Sequence, residues 1–284
     1  MEKFDIVCLG DATLDLFFFI NDATVSCDLN NENCELTLKY AEKIVVEKFA
    51  KSLGGNAANV AVGLSRLGLK TALITAFGND EDGAFVKRKL MEENVDILNS
   101  VTPETRRSNT SSIIVFKGER TILTYHDGIN DPNIKVSQSR WYYLTEIFFD
   151  LNLLPLDAKI AFNPGVREIK KGKDFLQPIF DRTEILFVNK EEYEEIGQTK
   201  IKTIVVTNGS NGAKVYENGN EYFQEALTGE IVETTGAGDA FASGFLAARF
   251  YGKTIEEQML WGAKNSASVI SKVGAIDGLL KHVD

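Results

Sequence analysis

The segment from Glu233 to Phe245, Glu-Thr-Thr-Gly-Ala-Gly-Asp-Ala-Phe-Ala-Ser-Gly-Phe, places a turn, a helix start and a carboxylate within a few residues of one another. Apolar Ile231 and Val232 precede it and read as the end of a strand. Gly236 and Gly238 permit a tight turn, and the run from Ala240 to Tyr251 is helical in composition. The backbone N–H groups of Gly236, Ala237 and Gly238 then open a helix and point outward, an arrangement that attracts anions, phosphate above all. An acid beside such a cradle repels its ligand unless it has a task, and the task that fits Asp239 is to take a proton from a hydroxyl attacking the phosphate. A glycine-rich strand-to-helix turn with Asp239 as an ordinary cap accounts for the same residues.

Such chemistry needs a scaffold that holds several chain segments against one turn. The start of the chain reads as a buried strand, Asp5 to Gly10, with Asp11 to Asp15 at its carboxyl end, where open α/β sheets bind ligands. Short β-prone runs at 17–20, 34–38 and 44–46, joined by the polar stretch 26–33, read as an excursion from the main sheet. Gly54-Gly-Asn-Ala-Ala-Asn59 opens a helix with apolar residues at Val60, Leu64 and Leu67. Asn56 is a cap there, or else Asn56 and Asn59 grip the hydroxyls of a polar ligand. Residues 112–116 and 120–125 form a hairpin that joins the excursion as a second, small sheet. From Trp141 onward, strands at 141–144, 159–163, 185–189 and 202–207 alternate with covering segments, the pattern of a parallel sheet between helices. Their polar ends, at Glu146, Asn163, Asn189 with Glu192, and Thr207 with Gly209, outline one crevice. A hairpin at 214–224 and an amphipathic helix at 255–271 complete the chain, and no repeat or linker divides its 284 residues.

Composition narrows the partners. A net charge of −10 argues against a general nucleic-acid or anionic-membrane binder and for small molecules. Cys8, Cys27 and Cys34 are odd in number and lack CxxC spacing, so neither a disulfide scaffold nor a zinc knuckle is expected. With no targeting segment or membrane span visible, a cytoplasmic setting is the expectation. His126 and His282 are the only histidines, which weakens histidine-based metal or hydrolase chemistry.

The ordered set of segments resembles the ribokinase-like, or PfkB, family of carbohydrate and nucleoside kinases over nearly the whole chain. Gly54-Gly-Asn-Ala-Ala-Asn59 is similar to the family's sugar-binding glycine motif, Thr234 to Gly244 matches its carboxy-proximal signature, and Asn189-Lys-Glu-Glu192 matches its N-x-x-E element. The resemblance implies a single α/β domain over 1–284: a mostly parallel sheet with helices on both faces, and a β lid formed by about 16–52 and 104–126. It implies an ATP-dependent kinase with Asp239 as base and Gly236, Ala237 and Gly238 as the anion hole. Asp15, Gly54, Gly55, Asn56, Asn59 and Glu146 would line the sugar pocket. Asn189, Thr207, Gly209 and Asn265 would serve the nucleotide, Asn265 near the adenine, and Glu192 would hold Mg2+ largely through water. Lid closure would exclude water from the transfer. Glu233 stands where many relatives carry Asp beside a monovalent-cation site, and its extra methylene can displace or abolish K+ binding. Asn56-Ala57 differs from the Lys-Gly usual in ribokinases proper. The expected acceptor is a primary hydroxyl of a sugar. The alternatives are a nucleoside kinase, whose base would need an apolar wall from Phe17, Phe18, Phe19 or Phe116, and a non-catalytic sugar or nucleotide sensor. A strand-built lid also points to a homodimer formed edge to edge.

Overall fold

Strands β1 (Ile6–Leu9), β6 (Thr71–Ile74), β9 (Trp141–Leu144) and β10 (Lys159–Phe162) are nearly uninterrupted runs of buried residues, as strands covered on both faces must be. With β11 (Thr183–Asn189), β12 (Thr203–Thr207), β13 (Ala213–Glu217) and β14 (Asn220–Gln224) they make one eight-stranded sheet in the order β14-β13-β12-β11-β10-β9-β1-β6. The computed structural model describes residues 4–28, 34–128, 134–227 and 229–283. Every pairing from β12 to β6 is parallel, and only β13 and β14 run antiparallel at one edge. The six parallel strands therefore deliver their carboxyl ends to a single edge.

Alternate residues of each strand feed two cores. Ile6 and Cys8 join one with Val60 and Leu64 of α1 (Asn56–Arg66), Val86 and Leu90 of α2 (Glu81–Glu92), Phe245 of α6 (Ala237–Phe250) and Met259 of α7 (Ile255–Val269). Val7 and Leu9 join the other with Ile169 of α3 (Val166–Ile169), Leu176 and Ile179 of α4 (Lys173–Phe180), and Ile196 of α5 (Lys190–Ile196). The expected mostly parallel α/β architecture with helices on both faces is the one found.

A second sheet, in the order β5-β2-β7-β8, stands apart from the first. It is built from β2 (Thr13–Ile20), β5 (Val46–Gly54), β7 (Thr110–Phe116) and β8 (Glu119–Tyr125). Register puts Asp15 beside Ser52 and Ser111, and Phe17 beside Ala50 and Ile113, on the face turned toward the main domain. There Phe17, Ile113 and Val115 are buried with Val273, from the loop after α7, packed against them. Phe18 and Phe49 meet on the opposite face. β5 is longer than the expected strand at 44–46, because its alternation with β2 carries the ladder through Lys48–Gly54.

Two further expectations need correction. A separate ribbon of β3 (Thr24–Cys27) and β4 (Cys34–Thr37) places Cys27 directly opposite Cys34, and the two form a disulfide. The odd cysteine, Cys8, is buried in β1 and explains why counting hid the pair. The Cys27–Cys34 bond overturns the expectation, drawn from cysteine number and spacing, that the chain is not disulfide-bonded. Residues 29–33 of the expected polar stretch lie outside the described residues. Ile231 and Val232 form no strand: the N–H groups of Val232 and Glu233 both turn to the carbonyl of Ile270, at 2.8 and 3.3 Å, because this segment must follow the end of α7.

Arg66, at the end of α1, fixes the carboxy-terminal loop. Its guanidinium grips Glu93 at 2.7 and 2.8 Å and donates to the carbonyls of Ile276 and Leu279 at 2.6 and 3.0 Å. Removing it leaves a half-buried carboxylate and two carbonyls without donors. Arg66→Ala is expected to cost about 2–3 kcal/mol in urea denaturation, and Arg66→Lys to recover less than half of that, since Lys cannot span the same four acceptors.

Candidate active site

The helix entry is made by backbone rather than by a capping side chain. Gly236 occupies the cap position of α6 in the left-handed region at φ 77°, and no side chain caps the helix. A Cβ on Gly236 would collide with Ala275, so both the dihedral and the close approach demand glycine. Nothing lies within 4 Å of where a Cβ of Gly238 would stand. The first-turn N–H groups have no intrahelical acceptor, so this end of α6 presents free backbone donors. Glu233 is fully buried and braces the turn, one oxygen accepting from the N–H of Thr235 at 2.7 Å and the other from the N–H of Gly274 at 2.9 Å.

Asp239 is in the first turn of α6 and is buried. Its Oδ2 accepts from Nδ2 of Asn59 on α1 at 2.8 Å. Burial pushes its carboxyl up to about 7; the Asn59 hydrogen bond acts in the opposite direction, and the charges of Asp11, Asp15 and Glu192 raise it further. A carboxylate so placed can exchange a proton near neutrality.

The chain brings a second acid toward the same point. Asp15 on β2 accepts from Thr13 Oγ1 at 2.8 Å and from Ser111, and burial raises it to about 6. Its carboxylate fills the space a side chain at Gly54 would need. Gly55 caps α1 at φ 95°, and a Cβ there would stand 2.8 Å from both Ala12 Cα and the carbonyl of Asp11. Asn56 is the first residue of α1 and exposed, without the capping role that its position invites. Glu146 follows β9, where burial, with Asp11 next in importance, lifts its carboxyl to about 7. Around it lie groups that sequence reasoning did not single out: Asp11, Asn109, His126 and Arg167. Asp11 alone carried a local signal, as the acid directly behind β1.

On the other side of the α6 entry, Asn189 and Thr207 are register partners at the ends of β11 and β12. Asn189 and Glu192 form a reciprocal capping box on α5, at 2.8 and 2.9 Å, and burial raises the Glu192 carboxyl above its ordinary range. Gly209, at φ 50°, has open space where its Cβ would be. Asn163 is spent internally, accepting from Tyr143 and donating to the carbonyl of Phe187. Asn265, expected near adenine, is fully buried inside α7. Its amide donates to the carbonyl of Ala240 and to Ser243, and its oxygen accepts from the N–H of Leu280. With donors and acceptor engaged, it braces α6 against α7 and offers nothing to a ligand.

The raised carboxyl of Asp239 also sets a stability signature. Its folded state holds the proton more tightly than the unfolded chain, so its contribution is full at low pH and is lost as pH rises toward about 7. Asp239→Asn, which never ionises, is expected to gain about 2–3 kcal/mol on the wild type between pH 5 and pH 8, read by urea denaturation at each pH.

The family model described as pfkB family carbohydrate kinase matches residues 16–149 and 149–282. An uncharacterized sugar kinase of Archaeoglobus fulgidus is 30% identical over 251 residues, covering 78% of this chain and all of that one. An ATP-dependent 6-phosphofructokinase of Thermoanaerobacterium thermosaccharolyticum is 24% identical, over 97% of this chain and 90% of its own. The crystal structure of a nucleoside kinase of Methanocaldococcus jannaschii, a ribokinase-family member, superposes with a TM-score of 0.79 at 22% identity, covering 99% and 96% of the two chains. The matched segments contain both the glycine pair at α1 and the uncapped entry of α6, and this chain belongs to the pfkB family of carbohydrate kinases.

Proposed function

We propose that the protein transfers the terminal phosphoryl group of ATP to a primary hydroxyl of a sugar, with Asp239 as general base and the turn from Gly236 to Asp239 as the anion hole. The observation that carries this reading is the pairing of a buried, Asn59-held carboxylate with an uncapped helix N-terminus. Asp239 takes the hydroxyl proton as the oxygen attacks, and the first-turn N–H groups of α6 meet the charge that develops on the transferring group. Asp15, Asn59 and the Gly54–Gly55 backbone orient the acceptor, with Asn56 at the edge and Glu146 at the far side.

The ends of β11 and β12 face the nucleotide, through Asn189, Thr207 and Gly209. Glu192 fits a place near Mg2+, because a carboxyl raised by burial is one that a neighbouring cation would relieve. Bound there, the ion would screen phosphate charge during transfer. Glu233 fits less directly as a K+ ligand: both its oxygens already hold backbone N–H groups, so an ion would act through the loop that Glu233 shapes.

A sugar is favoured over a nucleoside by the small sheet. Phe17 and Phe116 are buried, Phe18 packs with Phe49 on the face turned away, and Phe19, half-buried on the inner face, packs against Phe17, Ile113 and Val115 with Lys48 over its ring, so these rings are already engaged within the small sheet. The outer face of that sheet also supports a homodimer: Phe49 and Leu123 are 56% and 58% exposed there. Sedimentation should give a dimer that becomes monomeric in the double variant Phe49→Lys, Leu123→Lys; a monomeric wild type would exclude it.

The decisive assay is ATP consumption across a panel of sugars and nucleosides. Asp239→Asn is expected to lower kcat by about 100- to 10,000-fold, and wild-type kcat/KM to fall as pH drops below about 7, where the base is protonated. Undiminished turnover by the variant would remove Asp239 as the base. A wild type that turns over ATP with none of the acceptors would favour a sensor.

A further inference from the structure

The acceptor's far end would meet a part of the crevice made almost wholly of hydrogen-bond acceptors. Asp11 Oδ2 lies 3.2 Å from Nε2 of His126, whose Nδ1 is 4.0 Å from Glu146 Oε1. The tautomer follows from the neighbours. Oδ1 of Asn109 accepts from Arg106 Nη2 and from the N–H of Asp127, so its Nδ2 is the atom left to face His126 Nδ1, at 3.3 Å. His126 Nδ1 then accepts from Asn109 and its Nε2–H donates to Asp11.

The nearby arginines supply little. Arg106 is buried, and its donors go to the carbonyls of Ala76 and Gly128 and to Asn109. Arg167 is 61% exposed at the rim, with Nη1 3.8 Å from Glu146. A second, independent feature points the same way: Asn59, 3% exposed, uses Nδ2 on Asp239, and its Oδ1 is buried with no donor among the described residues. Beyond burial, the charge of Asp11 raises the carboxyls of Asp15, Asp239 and Glu146 alike, which places it at the centre of an acidic field.

Resting on the kinase reading above, we infer that Asp11, His126 and Glu146 form an acceptor subsite that takes an uncharged, hydroxyl-rich end of the acceptor and turns away one carrying a phosphate or carboxylate. Hydroxyl groups donate to Asp11, Glu146 and the orphaned Asn59 oxygen, whereas an anion placed among them meets the Asp11 and Glu146 carboxylates at close range, with the Arg167 guanidinium out at the exposed rim. The family's spread makes this a real choice, since one relative is a 6-phosphofructokinase, whose acceptor is already phosphorylated.

The test uses matched pairs that keep a free primary hydroxyl, fructose against fructose 6-phosphate and ribose against ribonate, with ATP turnover and binding calorimetry on the full chain. The neutral member should exceed its anionic partner by at least about 100-fold in kcat/KM or affinity. Asp11→Asn with Glu146→Gln should shrink that ratio at least about 10-fold by improving the anionic member. Equal or better use of the anionic members would overturn the inference while leaving the kinase reading intact. Neutral members that bind without being phosphorylated would uphold the subsite and sink the transfer assignment. No binding by any member would overturn both, and an unchanged ratio in the double variant would overturn the role of Asp11 and Glu146.

Discussion

The hydrogen bond from Asn59 to Asp239 joins residues 180 positions apart and ties the first helix of the main domain to the helix that opens the anion cradle. It satisfies one oxygen of a carboxylate that burial disfavours, and so permits an acid to sit in a helix first turn among other acids. Without a partner of this kind, the desolvation cost would favour a permanently protonated Asp239 or an exposed one. Either would be a poor base. The contact between α1 and α6 thus holds a buried carboxylate at the same turn as an uncapped helix N-terminus.

A second set of contacts gives that turn its shape. Glu233 reaches forward to Thr235 and across to Gly274, and Gly236 packs on Ala275, so the α6 entry and the loop after α7 form one unit. The small sheet closes on this unit through Phe17, Ile113 and Val115 against Val273. Arg120 of β8 reaches Thr234 in the same region. Arg66 holds the loop from behind, through Ile276 and Leu279. The cradle is therefore held by packing from several directions, as a preorganised site requires.

Much of this was legible in the sequence because the governing signals are local. Continuous apolar runs mark strands covered on both faces, and paired glycines mark the places where backbone must approach closely, as at Gly54, Gly55 and Gly236. What was not legible depends on meetings across the chain. His126 reaches Asp11 over 115 positions, and nothing near either residue announces the other. Asn265 looks available as a polar residue in an amphipathic helix, yet the packing of α6 on α7 consumes its amide. The cysteine pair was hidden by Cys8, whose burial in β1 is a packing matter that a count cannot separate from cross-strand chemistry. Ile231 and Val232 are apolar enough for a strand, but no edge of the main sheet lies beside them.

Two of the chain's crossings into and out of the small sheet are short. Its strand β2 begins three residues after Gly10 and carries Asp15, and β5 ends at Gly54, directly before the cap of α1. A swing of the sheet on these two crossings pivots beside Asp15 and Gly54, and it moves Asp15 relative to Asp239. On the proposed kinase reading, acceptor affinity and sheet position would be one equilibrium rather than two, since a ligand that draws on Asp15 would spend part of its binding energy on placing the sheet. A substitution that loosens either crossing would then weaken acceptor binding even where it touches no ligand atom.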